Sequence, residues 1–472
     1  MPESAEIPTN HLPPARRELG GKLGGRSLER QLFTLALWPL LEQILGFAVA
    51  ATDQVLAGRF SDPAARLHAL DALAVGGYFS WLLMILQGAI GTGGLALIAR
   101  ATGASDDRLA RRALGQAVLL GTGIGGVVTI LALLALPLFI KSFALEGETA
   151  RMAEDYLRVI AVSAPLTGFL FAANAGLRGS GDTRTPFVVM TAVNLVNIAA
   201  SWLFTFGPAP LGGHGVAGLA AGTVLGWAVG ALLLGWTIGT RRHGLHIDRA
   251  AIRPHRETIA RIVRVGLPSA IEIGGMWLIN VSLLRMVAAL PQAGSLGAHI
   301  ITIRAESLSF LPGFAIAAAS ATLAGQYLGL GDPVRAKAAV RKAWHGGVMM
   351  MSMLGLLFIF FPARIIGAFV PDSPLHIGLA TPLLLLCGFC QPFLATCIIL
   401  KTTFRGTGDT RAVMRYSYGS MLVFRVVCAW LVLRTLDNGL FWIWICMSTD
   451  VLVQAVIFWR RFEGGKWLTS KV

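Results

Sequence analysis

The chain has 472 residues, of which 55% are hydrophobic and 14% are charged. Soluble globular proteins carry roughly 25% charged residues, so the composition excludes an ordinary soluble protein and indicates an integral membrane protein. The formal net charge of +15 does not require a nucleic-acid partner, because membrane proteins concentrate Lys and Arg on their cytoplasmic side. We expect no nucleic-acid binding.

Residues 1–30 are polar and basic, and they lack the apolar core and small-residue cleavage site of a signal peptide. We expect a cytoplasmic tail there. Twelve apolar stretches follow, each long enough for a helix that crosses the roughly 30 Å hydrocarbon core. The predicted spans are 32–57, 72–99, 113–140, 151–174, 186–206, 215–240, 263–290, 296–326, 343–370, 376–402, 413–433 and 439–460. The chain is therefore predicted to be an all-α, multi-pass membrane protein.

The basic residues fall mainly on one side of these spans. With the amino terminus inside, 30 of the 40 Lys and Arg residues lie in the tails and inner loops, as the positive-inside rule requires. We expect both termini in the cytoplasm and the protein in the inner (plasma) membrane. Residues 241–262 are predicted to form a basic linker that lies against anionic lipid head groups, and residues 463–472 a short tail.

The same short motif occurs once in each half of the chain. Its copies are Arg178-Gly179-Ser180-Gly181-Asp182-Thr183-Arg184 and Arg405-Gly406-Thr407-Gly408-Asp409-Thr410-Arg411. Pro39 and Pro268 are separated by nearly the same interval as the two copies. We infer two homologous lobes, 31–240 and 263–462. Because six helices per lobe is an even number, both lobes enter the membrane from the same side, and their symmetry axis runs along the membrane normal, as in parallel-repeat transporters.

The motif itself favours a structural role over contact with a substrate. Its glycines predict turns with positive φ between the fourth and fifth and between the tenth and eleventh spans. We expect Asp182 and Asp409 to bond loop amides or neighbouring arginines. Thr185 and Pro186 predict the start of the fifth span, with Thr185 as the cap and Pro186 in the first turn.

Nothing in the sequence predicts an enzyme or a cofactor. It contains no phosphate-binding loop, no zinc-protease motif and no nucleophile elbow, so energy for transport is expected from an ion gradient. Cys387 and Cys390 have the spacing of a metal or redox pair. No further ligand joins them in register, which favours packing within a helix over a metal site.

The duplicated motif resembles the multidrug and toxic compound extrusion (MATE) family, and is most similar to the bacterial branch typified by DNA-damage-inducible protein F. Further matching phrases run from Thr52 to Gly58 and from Glu306 to Gly313, and the likeness covers about residues 30–465. It implies twelve helices in two lobes and export of organic, usually cationic, compounds in exchange for protons or sodium ions.

Ionisable residues inside apolar helices are candidates for function, because each costs roughly 2.5–3.5 kcal/mol at mid-membrane. Asp53 lies near the outer end of the first span, and the resemblance assigns it to the family's cation site. Asn197 and Thr223 are predicted at compatible depths and match the family's ligands on the fifth and sixth spans, although simple helix-to-helix hydrogen bonding is an alternative. Where the related branch has a second acidic residue, this chain has Ser201. A single carboxylate favours protons over sodium.

The second lobe lacks a counterpart of Asp53 and carries other buried charges. Glu306 and Glu272 are candidates for a second substrate or proton site, although family members with an acidic residue on the seventh span carry it about one turn further on. Arg425 and Asp450 are predicted at similar depth, and we expect them to form a structural ion pair.

The sequence as a whole predicts a secondary antiporter that exports small amphipathic cations in exchange for a coupling cation, acts without cofactors and is monomeric. One alternative is a lipid-linked saccharide flippase, which requires a cluster of arginines in the cleft, for which Arg158, Arg285 and Arg304 are available. Another is a membrane scaffold or receptor, but a protein of that kind has no need of carboxylates buried in its membrane spans.

Overall fold

The structure is a computed structural model that describes residues 18–20, 23–142, 145–240, 245–436, 439–470 and 472. Most of the predicted amino-terminal tail and the first part of the predicted linker lie outside the described residues. Within the described ranges the chain folds into helices joined by short connections and contains no β-strand. The all-α class predicted from the sequence is confirmed.

The first half of the chain forms helices α1 to α7. Their bounds are α1 Leu28–Ala57, α2 Pro63–Gly103, α3 Asp107–Ser142, α4 Gly147–Val162, α5 Ala164–Ser180, α6 Arg184–Phe206 and α7 Gly215–Gly239. Asp62 accepts hydrogen bonds from the amides of Ala64 and Ala65 and so caps α2. Because of this cap α2 begins well before residue 72, where the sequence predicts the second span.

The second half forms helices α8 to α17. Their bounds are α8 Arg249–Ile252, α9 Arg256–Ala288, α10 Ser295–Ser307, α11 Phe310–Gly329, α12 Pro333–Phe360, α13 Pro362–Phe369, α14 Pro374–Thr407, α15 Thr410–Met421, α16 Ala429–Thr435 and α17 Gly439–Glu463. A π-helical segment, Leu422–Cys428, joins α15 to α16. Such wide turns are rare and often mark functional positions.

Among the described residues, eight helices are long and apolar enough to cross a membrane, and ten spans result when each of two bent helix pairs counts as one. Helices α1 and α2 are 30 and 41 residues long, which also exceeds the about 20 residues that a span needs. The fold is that of a multi-pass membrane protein with six helical segments in each half.

Two predicted single spans are bent, by 50° between α4 and α5 and by 47° between α10 and α11. Pro165 in the first turn of α5 has no amide hydrogen to continue the helix of α4. The carbonyl of Ala161, four residues earlier, accepts instead from the Thr129 hydroxyl at 2.7 Å. At the second bend, the Ser309 hydroxyl bonds the carbonyl of Glu306 at 2.7 Å. No long polar loop interrupts either span, so hydropathy does not reveal the bends.

Each copy of the repeated motif ends a helix. Gly181 and Gly408 follow α5 and α14 with φ of +93° and +94°, a conformation that glycine adopts without strain. We call the side of the bundle where these two turns lie the motif end. Asp182 then accepts bonds from the amide and the hydroxyl of Thr185 at 3.1 and 2.6 Å. Helix α6 consequently starts at Arg184, before the Thr185-Pro186 start that the sequence predicts.

The two halves meet through α1 against α11 and through α2 against both α9 and α11. At the motif end the contact is between backbones. Gly103 of α2 lies against the carbonyl of Gln326, and Gly329 of α11 lies against the carbonyl of Arg100; an added Cβ would approach these oxygens to 1.9 and 2.1 Å. The two glycines occupy equivalent positions of the repeat, as do Arg100 and Gln326, so the interface has approximate two-fold symmetry.

Candidate functional site

The carboxylate of Asp53 is buried near the end of α1, with 9% of the residue exposed. The Thr223 hydroxyl on α7 lies 3.4 Å from its Oδ2 atom, and Tyr156 on α4 also interacts with the carboxylate. Its Oδ1 atom has no hydrogen-bond partner among the described residues. No Lys or Arg among them contributes an interaction with it. The carboxylate therefore lies between helices of the first half without a counter-charge.

Asn197 joins the other candidate ligands to this carboxylate. Its amide nitrogen donates to the Thr223 hydroxyl at 2.8 Å and to the Ser201 hydroxyl at 3.2 Å. Its Oδ1 atom is buried without a partner among the described residues. The structure thus brings four residues predicted from the sequence, Asp53, Asn197, Thr223 and Ser201, into one network. The two oxygens without a partner belong to Asp53 and Asn197, and both of these residues bond the Thr223 hydroxyl.

Two glycines allow the helices around this site to approach closely. A Cβ at Gly222 of α7 would lie 2.3 Å from the backbone nitrogen of Ser201 on α6. A Cβ at Gly76 of α2 would lie 2.9 Å from the ring of Tyr156. Tyr156 is not among the residues predicted from the sequence. A tyrosine within a predicted span is a weak signal, since tyrosine is also common at membrane interfaces.

The equivalent location in the second half has no net charge. The repeat interval of 227 to 229 residues leads from Asp53 to Asn280 or Ser282, and the interval of 227 leads from Thr223 to Asp450. Between Asn280 and Asp450 lies Arg425, whose Nε is 2.6 Å from Asp450 Oδ2 and whose Nη1 is 3.2 Å from Asn280 Oδ1. The predicted pair of Arg425 and Asp450 is thus a buried ion pair, and it fills the position that corresponds to the Asp53 site.

Hydrogen bonds saturate the remaining oxygen of Asp450. Its Oδ1 atom accepts bonds from the hydroxyl of Ser420 at 2.5 Å and from the amide of Gln454 at 2.7 Å. Arg425 lies within the π-helical segment, and the pair needs no external cation. The second half therefore has no vacant counterpart of the Asp53 network within the part of the chain that the structure describes.

The motif arginines pair with glutamates of α1 and α9, the helices that contain Pro39 and Pro268. Arg178 lies 2.5 Å from Glu42 on α1, and Arg405 lies 2.8 Å from Glu272 on α9. Glu272 also contacts Lys401 at 3.2 Å and accepts a bond from a serine hydroxyl of α15. With two cations against one carboxylate, Glu272 is fully neutralised, which favours a structural role over the predicted second transport site.

Asp409 and Glu306 have different surroundings. Asp409 forms an ion pair with Arg461 at 2.5 and 2.8 Å, a partner outside the motif. Glu306 lies in the last turn of α10, before the bend, and its side chain contacts the thiol of Cys387. No ion pair of Glu306 is formed within the described ranges. Glu306 remains a candidate for the second site.

An internally repeated bundle of apolar helices, with an uncompensated carboxylate buried in one half, defines a membrane transporter of the parallel-repeat class. The MatE family model matches residues 40–203 and again residues 268–431. The two matches fall one in each half and so follow the repeat. The chain belongs to the MatE family and is a MATE family efflux transporter, so the resemblance noted from the motif is confirmed.

Similar proteins agree over nearly the whole length. A probable multidrug resistance protein NorM of Thermotoga maritima is 29% identical over 441 residues, which cover 93% of each chain. A solved structure of a MATE transporter in the bent conformation has a TM-score of 0.85 at 21% identity and covers 93% of this chain and 97% of its own. A MOP superfamily transporter from Pyrococcus furiosus has a TM-score of 0.85 at 20% identity, with 94% and 98% covered.

Proposed function

We propose that this transporter exports small amphipathic cations and takes up one proton at Asp53 in exchange. The observation that carries the proposal is the pair of buried, unpartnered oxygens, Asp53 Oδ1 and Asn197 Oδ1. A buried polar atom without a partner costs free energy, about 1–3 kcal/mol. An ion, a proton or a water molecule that binds these oxygens satisfies them. If it is exchanged during transport, the free-energy cost is removed in one state of the transport cycle only.

A proton suits this network better than a sodium ion. Sodium binds through several oxygens, and here only one of them carries a full charge, because Ser201 supplies a hydroxyl where the related branch has a carboxylate. That hydroxyl already donates to the carbonyl of Leu219 at 3.2 Å. A proton needs only the single titratable group of Asp53.

Neutralisation of Asp53 by a proton can couple proton uptake to a change in the packing of α1. Helix α1 carries Asp53 near one end and packs against α11 of the second half near the other. Pro39 interrupts its hydrogen bonding between these points. When a proton removes the charge, α1 repacks within the first lobe, and its changed direction alters the contact between the lobes. Access to the cleft then alternates by rocking of the two lobes.

The motif end is proposed to face the cytoplasm, in keeping with the distribution of Lys and Arg, with the protein as a monomer in the inner membrane. Contacts between α2 and α11 at that end then close the cytoplasmic side of the cleft. A cationic substrate in the cleft has Glu306 available as a carboxylate that forms no ion pair within the described ranges, although Arg425 attracts it at longer range.

The test is transport of a fluorescent organic cation in proteoliposomes under separately imposed proton and sodium gradients. Asp53→Asn keeps the size of the side chain and removes its titration, so proton-driven transport should fall to background. Asp71→Asn, which changes an exposed acid on α2, is the matched control and should transport normally. Full proton-driven transport by the Asp53 variant refutes the proposal, and wild-type transport driven by sodium alone refutes proton coupling.

A further inference from the structure

A groove of 480 Å³ opens between α9 and α15 on the outer surface of the second half. Its floor and one wall are apolar, and include Leu267, Ile271 and Met414. Leu267 and Ile271 are 55% and 47% exposed, as expected for side chains that face lipid tails. The hydroxyl of Tyr418 bonds the carbonyl of Ile271 at 2.6 Å and fixes the two helices together beside the groove.

Three arginines, Arg264, Arg411 and Arg415, line the same groove. None forms an ion pair among the described residues, and no acidic side chain of those residues lines the groove. Arg415 uses its Nε atom on the carbonyl of Arg411 at 3.4 Å, which leaves its terminal nitrogens available. Three guanidinium groups around one apolar cavity repel one another unless an anion lies between them.

The arginines lie towards the motif end of their two helices, which is an end expected at the lipid head groups. Arg411 is the second residue of α15 and follows directly on the motif turn, while Arg264 lies in the third turn of α9, before Pro268. The groove therefore extends from the motif end towards the middle of the bundle. Its charged part lies at the boundary and its apolar part lies deeper, which is the polarity of a phospholipid.

The corresponding place in the first half is filled. Trp38 and Phe187 stand at the repeat positions of Leu267 and Met414, and their rings lie 5.2 Å apart. Arg184, the repeat partner of Arg411, lies over the Trp38 ring at 5.6 Å.

The other two arginines have no counterpart in the first half. Leu35 and Val188 stand at the repeat positions of Arg264 and Arg415. The second half has arginines where the first half has these two apolar residues. It also has Leu267 where the first half has the Trp38 ring. An open, basic groove is thus a feature that one half has and its sister half lacks.

We propose that this groove binds an anionic phospholipid, whose phosphate contacts Arg264, Arg411 and Arg415 and whose acyl chain lies along Leu267 and Ile271. Basic pockets between helices on the cytoplasmic side are suited to anionic head groups. Arginine pairs with phosphate through two parallel hydrogen bonds.

The site also lies where it can affect the contact between the halves. Gly266 of α9 faces away from the groove towards Ala89 of α2, and an added Cβ would come within 2.6 Å of the Ala89 carbonyl. A lipid that holds α9 against α15 therefore stabilises the α2 to α9 contact. This inference does not depend on which ion drives transport.

The test is binding of phosphatidylglycerol to the purified full-length protein in detergent, measured by native mass spectrometry and by the shift in unfolding temperature. Phosphatidylcholine and inorganic phosphate are added at the same concentration. We expect only phosphatidylglycerol to bind and to raise the unfolding temperature. Equal stabilisation by phosphatidylcholine, or by phosphate alone, overturns the proposal.

The double variant Arg264→Leu/Arg415→Val introduces the residues of the first half and should weaken phosphatidylglycerol binding at least tenfold. Leu267→Trp, which fills the groove as Trp38 does in the first half, should weaken it without changing charge. Arg184→Leu, at the filled site, is the matched control and should bind normally. Unchanged phosphatidylglycerol binding by both the double variant and Leu267→Trp refutes the site. If the double variant does not fold, the result for Leu267→Trp alone decides.

Discussion

The side-chain amide of Gln326 donates a 3.0 Å hydrogen bond to the carbonyl of Gly179, and so joins α11 of the second half to the motif of the first. The reverse contact is made by Arg100 of α2, which donates to the carbonyl of Thr407 at 3.3 Å. Arg100 and Gln326 are repeat partners. Each copy of the motif therefore offers backbone oxygens to the opposite half, which gives the duplicated sequence a role in closing one end of the transporter.

Gln326→Leu should weaken this closure. The substitution keeps a similar volume but leaves the buried Gly179 carbonyl without its donor, at a cost of about 1–3 kcal/mol to the closed arrangement. The population of the state open at the motif end should rise. Spin labels at Arg108 and Val334, on the first turns of α3 and α12, should report longer distances by pulsed electron paramagnetic resonance. Gln292→Leu, at an exposed position, should leave the distance distribution unchanged, and an unchanged distribution for Gln326→Leu would contradict the prediction.

Arg405→Leu should destabilise the protein more than Arg178→Leu. The Glu272 side chain is only 2% exposed, and loss of Arg405 leaves this buried carboxylate with Lys401, at 3.2 Å, as its one remaining counter-charge. The cost should be part of the about 3–5 kcal/mol that a fully unpaired buried ion costs. Glu42 and Arg178 are 13% and 28% exposed, so water compensates part of the loss. Thermal unfolding followed by tryptophan fluorescence should rank the variants in this order. Equal unfolding temperatures would show that the two pairs do not differ in the proposed way.

Gly76→Ala should impair the Asp53 site, whereas Gly77→Ala should not. The added methyl at residue 76 meets the Tyr156 ring at 2.9 Å, while residue 77 has open space around it. Overpacking of this kind costs about 1–3 kcal/mol, whereas alanine in an open helical position stabilises by roughly 0.5–1 kcal/mol. Transport and unfolding temperature should fall for the first variant only. Normal transport by Gly76→Ala would show that the position of the Tyr156 ring does not matter for the site.

Ser201→Asp should add sodium dependence to transport. The new carboxylate stands within reach of the amide of Asn197, whose present bond to Ser201 is 3.2 Å long, and it supplies the second charged ligand that sodium lacks here. We expect an imposed sodium gradient to drive efflux in this variant and not in the wild type. Ser201→Asn has nearly the same shape without the charge and serves as the control. Sodium-driven efflux in the asparagine variant would assign the effect to shape and would contradict the charge argument.

The sequence predicted the class, the repeat and Asp53, because each has a local signature. The resemblance to the MATE family added Asn197, Thr223 and Ser201, whereas Tyr156 was missed. The two copies of the motif differ only at Ser180 and Thr407. An acidic residue in an apolar span is easily noticed, because placing it in the membrane costs free energy. Partners on distant helices have no such signature. Arg178 and Glu42 are 136 residues apart, and nothing in either neighbourhood indicates the other.

The bends after Val162 and near Leu308 escaped prediction for a different reason. Neither span is interrupted by a long polar loop, so hydropathy averaged over the span does not distinguish a straight helix from a broken one. The early start of α6 depended on Asp182, whose side chain bonds the first helical turn. From the sequence, that carboxylate was expected to bond loop amides or arginines in general, so the predicted helix start lies too late in the chain.

The ion pair of Arg425 and Asp450 has a consequence for energetics. Because this ion pair occupies the location that corresponds to the Asp53 site, and Glu306 is proposed to face the cationic substrate, the proposed exchange takes up a single proton, at Asp53. One proton then enters for each monovalent cation that leaves, and the cycle is electroneutral. Membrane voltage would neither drive nor oppose efflux, and the pH difference alone would set how far a drug can be concentrated outside.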